Sequence, residues 1–299
     1  MIDFKKSMSH NEIPNIEFDS NKADRGFEII TLENLARRSQ NLDHDPEKAH
    51  QVAFNLLVYY TAGRSKQLVD FVWHEVKENT LIHISKDQIN AFQFTPDLKG
   101  YLILFTDTYL KQQLNTLPSN EVLRLFNSHL FSPIIQVPES SNVRHYIELL
   151  HQEFLEESSK ELKQPVLDGL YTIIFNKLER LKQFQTFHIQ NSARLETFMG
   201  FKNLIQKYFT QSRNADFYAE KLTITYKHLN VICQDIADTT AKQFIDEFII
   251  LESKRRLINS SIKSNELAYQ MGFNEPTNFI KYFKKNTGFT PNTFKNSYN

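Results

Sequence analysis

The residues able to hold a metal ion are few and badly spaced. In the first half of the chain His44 and His50 lie six apart, and His74-Glu75 is followed by His83. A metal-binding barrel of strands needs a His-x-His pair, a Glu close behind it and a further His on a later strand, and these residues do not complete that spacing. Cys233 is the single cysteine. It rules out an intrachain disulfide and any multi-cysteine zinc or iron–sulfur site, as expected of a protein in the reducing cytoplasm. The seven glycines form no run, so the loops that bring backbone against a phosphate are missing and no nucleotide cofactor is expected. No Ser/His/Asp set or carboxylate pair stands out. The expectation is a binding protein without metal or cofactor, not an enzyme.

A dry pocket lined by aromatic side chains is the remaining chemistry for the first half. His50, Phe54, Trp73, His83 and Phe92 are its candidate lining, although each suits an ordinary core better. The twenty-five phenylalanines fit either role.

Two segments of the last hundred residues look alike. In the first, Asp216–Leu222 is followed by Thr223-Ile224-Thr225 and then Tyr226–Ile232. In the second, Ser264–Met271 is followed by Gly272-Phe273-Asn274 and then Glu275–Phe283. Each reads as a short helix, a three-residue turn and a second helix. Small Ala219 and Ala268 sit where the helices must approach, and Gly272 permits the backbone angles of a sharp turn. This is the logic of a helix-turn-helix, whose second helix enters the DNA major groove. One such pattern is weak evidence. Two, with an amphipathic connector over Lys242–Asn259 that buries Phe244, Ile245, Phe248, Ile249 and Leu251, are much stronger. A rigid connector could hold two reading helices one turn of duplex apart, ~34 Å. Charge agrees: residues 200–299 hold 14 Lys+Arg against 9 Asp+Glu, a net +5 inside a chain of net charge zero.

The run Ile249-Ile250-Leu251-Glu252-Ser253-Lys254-Arg255-Arg256-Leu257, with Glu266-Leu267-Ala268, Met271-Gly272-Phe273, Asn278-Phe279, Phe283-Lys284-Lys285 and Gly288-Phe289-Thr290-Pro291, closely resembles the AraC/XylS family of bacterial transcription regulators. The match covers about residues 195–299. Upstream, short strands ending in Gly100-Tyr101-Leu102-Ile103-Leu104-Phe105 look more weakly like the cupin-type sensory domain of many members. The resemblance implies double-stranded DNA as partner, a small effector in an N-terminal barrel, a homodimer, and room for RNA polymerase as a further partner. Carried over position by position, it implies base-reading roles for Lys227, Asn230 and Val231 after Tyr226 in the first reading helix, and for Thr277, Asn278 and Lys281 in the second. Lys284 and Lys285 would face phosphates. Asn pairs bidentately with adenine, Lys donates to guanine, and Thr serves a base or the thymine methyl. Val231 stands where members often carry Arg, and Cys233 where an aromatic is common; Cys233 reads as a small core residue. Arg255 and Arg256 are open between phosphate contact and solvated helix face. Two other readings stay open: a barrel that binds a protein in place of a small ligand, and, remotely, a metal-dependent cupin enzyme.

The elements that must position these residues follow from hydropathy. The chain has 299 residues, 40% hydrophobic and 23% charged, as a two-domain soluble protein would. Nothing approaches the ~18 apolar residues of a membrane helix, and Met1–Lys6 has no apolar stretch of a leader. Residues 1–24 read as a mobile polar arm. Short strands are expected at Phe27–Leu32, Val52–Tyr60, Gln67–Trp73, Thr80–Ser85, Gln88–Phe94 and Tyr101–Thr106, with a hairpin turn at Ala62–Ser65. Close spacing without intervening helices favours a small sandwich or barrel over residues 25–140, and the resemblance selects the barrel. Helices are expected at Thr108–Leu114, Ser119–Phe126 and through 141–190, a linker. There Leu167, Leu170, Ile174, Leu178 and Leu181 form a stripe near a 3.5 repeat, either packed on its own domain or forming the seam of a dimer. Residues 191–299 are all helical. The fold class is therefore α+β: a small cupin-like β-barrel, linker helices, and an all-α domain with two helix-turn-helix motifs.

Overall fold

The computed structural model describes residues 15–16, 26–39, 45–114, 132–156, 162–185, 192–259 and 262–298. The expected helix at Ser119–Phe126, and the expected arm apart from Asn15–Ile16, lie outside the described residues. The chain forms two compact units that divide between residues 186 and 187.

The first unit holds β1 (Asn15–Ile16), β2 (Phe27–Thr31), β3 (His50–Val52), β4 (Asn55–Ala62), β5 (Arg64–Val69), β6 (Val72–Lys77), β7 (Thr80–Ile84), β8 (Ile89–Phe92), β9 (Lys99–Phe105) and β10 (Ile134–Gln136). They make two five-stranded sheets, ordered β1-β3-β8-β5-β6 and β10-β7-β4-β9-β2. Every pairing is antiparallel except β1 with β3. Part of the expected arm is thus a strand. Helices α1 (Leu32–Arg38) and α2 (Asp107–Leu114) follow β2 and β9.

The pleat sorts the second sheet's side chains onto two faces. Leu56, Val58 and Tyr60 of β4, with Leu102 and Leu104 of β9, pack with Val69, Val76 and Phe92 of the other sheet. Leu57, Tyr59, Ile103 and Phe105 point the other way. They pack against α3 (Val143–Leu155) and α4 (Lys163–Gln185), whose Val143, Ile147, Leu150, Leu167, Tyr171, Ile174 and Leu178 are buried there. The region expected to link two domains is therefore a layer of the first unit's own core. The leucine stripe is settled the same way: Leu167, Ile174 and Leu178 are at most 1% exposed within one chain, with Leu170 and Leu181 packed beside them. Buried side chains of this kind each stabilise the fold by about 1.5–3 kcal/mol. They are not available as the seam of a dimer.

Two further expectations change. The turn at Gly63 does not close a hairpin, because β4 and β5 lie in different sheets. Gly63 (φ +85°) carries the chain across, where a side chain would meet the Asp97 carbonyl. The hairpin is β5–β6, closed by Asp70 and Phe71, both left-handed. This extra reversal puts Trp73, half exposed, opposite Leu68, away from the interior shared by Gln67 and Val76. His83 pairs with Leu57 and so faces the helix layer. Of the five pocket candidates, Phe54 and Phe92 lie between the sheets. His50 lies there too, within a buried chain: Tyr60 OH donates to Gln67 Oε1 (2.7 Å), Gln67 Nε2 to Asn90 Oδ1 (2.9 Å), and Asn90 Nδ2 meets His50 Nε2 (3.2 Å). His50 Nδ1 is 2.9 Å from the Lys48 carbonyl, which can only accept, so that nitrogen bears the proton.

The second unit runs α5 (Ser192–Tyr208), α6 (Ala215–Lys221), α7 (Tyr226–Ala237), α8 (Ala241–Asn259), α9 (Ser264–Gln270), α10 (Pro276–Thr287) and α11 (Pro291–Asn296). Rings fill it, Phe198 on Phe244 at 5.0 Å, Phe201 on Tyr218 at 5.7 Å and Phe279 on Phe283 at 5.9 Å. Among the described residues no helix is long and apolar enough to cross a membrane.

Candidate nucleic-acid interface

Each pair of short helices begins with a local signal. Asn214 caps α6 by accepting the Asp216 N–H, and Thr225 caps α7 by accepting the His228 N–H at 3.2 Å. Pro276 occupies the first turn of α10, where its missing N–H costs nothing. The two turns share one geometry. In the first, Thr223 is left-handed and the next N–H, of Ile224, reaches the Ala219 carbonyl at 3.0 Å. In the second, Gly272 is left-handed and the Phe273 N–H reaches the Ala268 carbonyl, also at 3.0 Å. Both alanines are buried. The likeness seen between the sequences is therefore a likeness of hydrogen bonds.

On α7, Leu229, Ile232, Cys233 and Ile236 are buried. At 100° per residue the opposite direction falls to Lys227, Val231 and Gln234. Lys227 is exposed, and Val231 is 40% exposed, an apolar side chain in the middle of the outward face. Tyr226 is exposed at the helix start. Asn230 is occupied: its Oδ1 accepts the Ala241 N–H at 2.9 Å and so caps α8. The amide oxygen keeps a second lone pair, so this cap is compatible with the base-reading role expected of Asn230. Gln234, which the sequence reading passed over, lies on the outward face with its Nε2 2.8 Å from Asp238 Oδ1. The helical wheel alone could have found it. Asp235, paired with Arg194, makes the far end of α7 acidic, so its N-terminal half is the part suited to a polyanion.

On α10, Phe279 and Phe283 are buried. Thr277, Asn278, Lys281, Lys284 and Lys285 are all exposed. Thr277, Lys281 and Lys284 point outward, with Asn278 and Lys285 adjoining them along one flank. Among the described residues their side chains make no hydrogen bond or ion pair. This is a face of three cations and two amide or hydroxyl groups with nothing inside the unit to satisfy them.

The connector α8 has 19 residues, about 28 Å at ~1.5 Å per residue. Asn230 ties its start to α7, and its Asp246 accepts the Tyr282 hydroxyl of α10 at 2.7 Å. Burial and that bond push the Tyr282 phenol well above its ordinary pKa. Arg256 bonds Glu252 at 2.7 Å and lies over the Phe209 ring, so it is a partner inside the unit and not a solvated face. Arg255 sits near Lys202 of α5. Lys202 is 5% exposed, and burial first, Arg255 second, pull its pKa down to about 8. Nothing in the sequence set it apart. Cys233 is fully buried, which pushes its thiol up to about 12, as a small core residue requires.

Residues 218–297 match the family model of a helix-turn-helix domain. The C-terminal domain is an AraC-type helix-turn-helix domain. The match covers this domain and does not extend into the first unit. No curated protein is significantly similar to it. Among solved structures, ToxT from Vibrio cholerae is similar at 13% identity and TM-score 0.46, over 91% of this chain and 98% of that one. A ToxT structure with bound unsaturated fatty acid matches at 11% identity and TM-score 0.45, over 91% and 95%. The C-terminal domain of the response regulator yesN from Fusobacterium nucleatum matches at 24% identity and TM-score 0.30, over 32% of this chain and 93% of that domain. Within the AraC-type domain the two motifs differ in character: α10 presents a cationic face, and α7 one Lys beside Val231 and Gln234.

Proposed function

We propose that the chain is a transcription regulator of the AraC/XylS family that reads a two-part site on one duplex, α10 supplying most of the sequence discrimination and α7 a weaker second contact, under control of a small effector bound by the first unit. The exposed, unsatisfied face of α10 carries the DNA reading. Thr277, Asn278 and Lys281 are the base readers, and Lys284 and Lys285 the phosphate contacts. On α7, Lys227 and Asn230 take the base-reading part, with Tyr226 and Val231 beside them.

For the effector, Trp73 and His83 are withdrawn because they lie outside the sheet-to-sheet interior. A cleft of about 710 Å³ opens at the edge between the sheets, lined in part by Ser65, Val76, Thr80, Thr95, Ile134 and Gln136. Its size suits a small molecule, and its hydroxyls and amides would orient one. Such a ligand acts only through unequal affinity for two arrangements of the protein.

The homodimer is placed on the outer face of α4. Val166 and Ile173 are 45% and 40% exposed there, Gly169 has open space about it, and Leu162, 74% exposed, stands just before the helix. Spacings of three and four put Val166, Gly169 and Ile173 in one line of the helix, as a two-helix seam requires.

The experiment for the DNA reading begins with duplexes that the wild-type protein enriches from a randomised pool. Lys281→Ala and Asn278→Ala are expected to cut discrimination against single-base variants about fivefold or more, from ~1–3 kcal/mol per base contact. Lys285→Ala is expected to weaken all duplexes alike and to reduce the salt slope by ~0.9. If all three proteins match wild type in affinity, discrimination and slope, the reading fails.

A further inference from the structure

The second motif also touches the segment that leads into the first, beside the connector. Gly272, at the second motif's turn, would place a Cβ 1.9 Å from the Thr210 carbonyl oxygen just past α5, so any side chain there would force that segment away. Arg213, on the segment between α5 and α6, reaches over the same contact. Its Nη1 donates to the Gly272 carbonyl at 3.0 Å, and its guanidinium lies 3.8 Å from the centre of the Phe273 ring. Phe273 packs on Tyr282 at 5.2 Å, and Tyr282 bonds Asp246 of the connector. The motifs are therefore tied on three sides: Asn230 to the start of α8, Tyr282 to its middle, and Arg213 across the gap. Arg213 differs from the other two in what its own motif asks of it. Each turn is already closed by its own backbone bonds to Ala219 and Ala268, so the Arg213 side chain serves the placement of one motif against the other.

We infer that Arg213 is a positioning residue that fixes the separation and angle of α7 and α10, and so sets the number of base pairs the protein accepts between the two parts of its site. This rests on the reading that both motifs contact one duplex. One inserted base pair moves the second part by ~3.4 Å and turns it by ~35°. Base-edge hydrogen bonds tolerate only a few tenths of an ångström. A stiff pair of motifs must lose one contact set on such an insertion, whereas a loosened pair follows the displaced groove.

The test uses the full chain and the duplex it enriches from a randomised pool, with one base pair inserted or removed between the two parts, and reads affinity by fluorescence anisotropy. Wild type is expected to lose about tenfold or more on either change, comparable to a mismatched base pair. Arg213→Ala is expected to lose about threefold or less, while holding the unaltered duplex nearly as well. Arg213→Gln keeps a donor for Gly272 without the cation over Phe273; it is expected to fall between, and it decides the matter if the alanine protein does not melt cooperatively. Variants as sensitive to spacing as wild type would overturn the positioning role and leave the DNA reading standing. A wild-type protein that enriches no duplex, or one with a single contacted part, overturns the DNA reading and this inference with it.

Discussion

Lys202 is the residue at which burial and charge conflict most openly in the DNA-binding unit. With its pKa at about 8 in the folded state and ~10.4 in the unfolded chain, the unfolded chain binds more protons between those values, so stability rises with pH there. Below pH 8 the penalty is fully present. Between pH 8 and 9 the unit is expected to gain about 1 kcal/mol, and Lys202→Met should remove that gain while raising stability at pH 7 by on the order of 2–3 kcal/mol. Cys233 works in the opposite sense above pH 9, because its folded thiol holds a proton that the unfolded chain releases. Denaturant melts at pH 7, 8 and 9 check this, and equal pH slopes in the two proteins would refute it. Neither Lys202 nor the cap made by Asn230 was legible from residue type. The partners lie in Arg255 and Ala241, brought close only by the packing of α8. The residues of α10 were named through the family resemblance, and the burial of Phe279 and Phe283, four apart, is consistent with the outward face on which those residues lie.

Among the elements, α4 shows how one helix divides its surface. The inward stripe of Leu167, Ile174 and Leu178 was visible as a repeat, but periodicity does not say which neighbour a stripe meets. The sheet face of Leu57, Ile103 and Phe105 does. In the proposed dimer the outward line of Val166, Gly169 and Ile173 carries the self-association. Ile173→Asp is expected to leave the melting temperature within a few degrees of wild type, since an exposed change costs ~0.5 kcal/mol or less, and to make the full chain sediment as a monomer. Ile174→Ala, one position along, should cost ~2–4 kcal/mol by opening a cavity. A dimer that survives Ile173→Asp would move the seam elsewhere. The strands were harder to read than the helices for a physical reason. The β5–β6 reversal is made by Asp70 and Phe71 with no glycine to announce it, and a missed reversal moves every later side chain of the run to the wrong face. Trp73 was misplaced in that way.

At the scale of the molecule, each unit has its own core: two sheets and a helix layer in one, edge-on and tilted rings between helices in the other. The split of charge in the sequence follows the same division, and the basic part is the part proposed to meet DNA. Residues 187–299 are therefore expected to fold alone, with a single cooperative melt. Lacking α4, the fragment should sediment as a monomer. It retains both reading helices, the connector and Arg213, so its preferred sequence and spacing should match those of the full chain. Its affinity should be lower, because a dimer binding a site with two copies gains from effective concentration what a monomer cannot, commonly ~10²-fold or more. Sedimentation and anisotropy on one set of duplexes separate the two terms. A fragment as tight as the full chain would mean that the first unit contributes no avidity, and a fragment with a different preferred spacing would mean that the first unit, not Arg213, sets the geometry of reading.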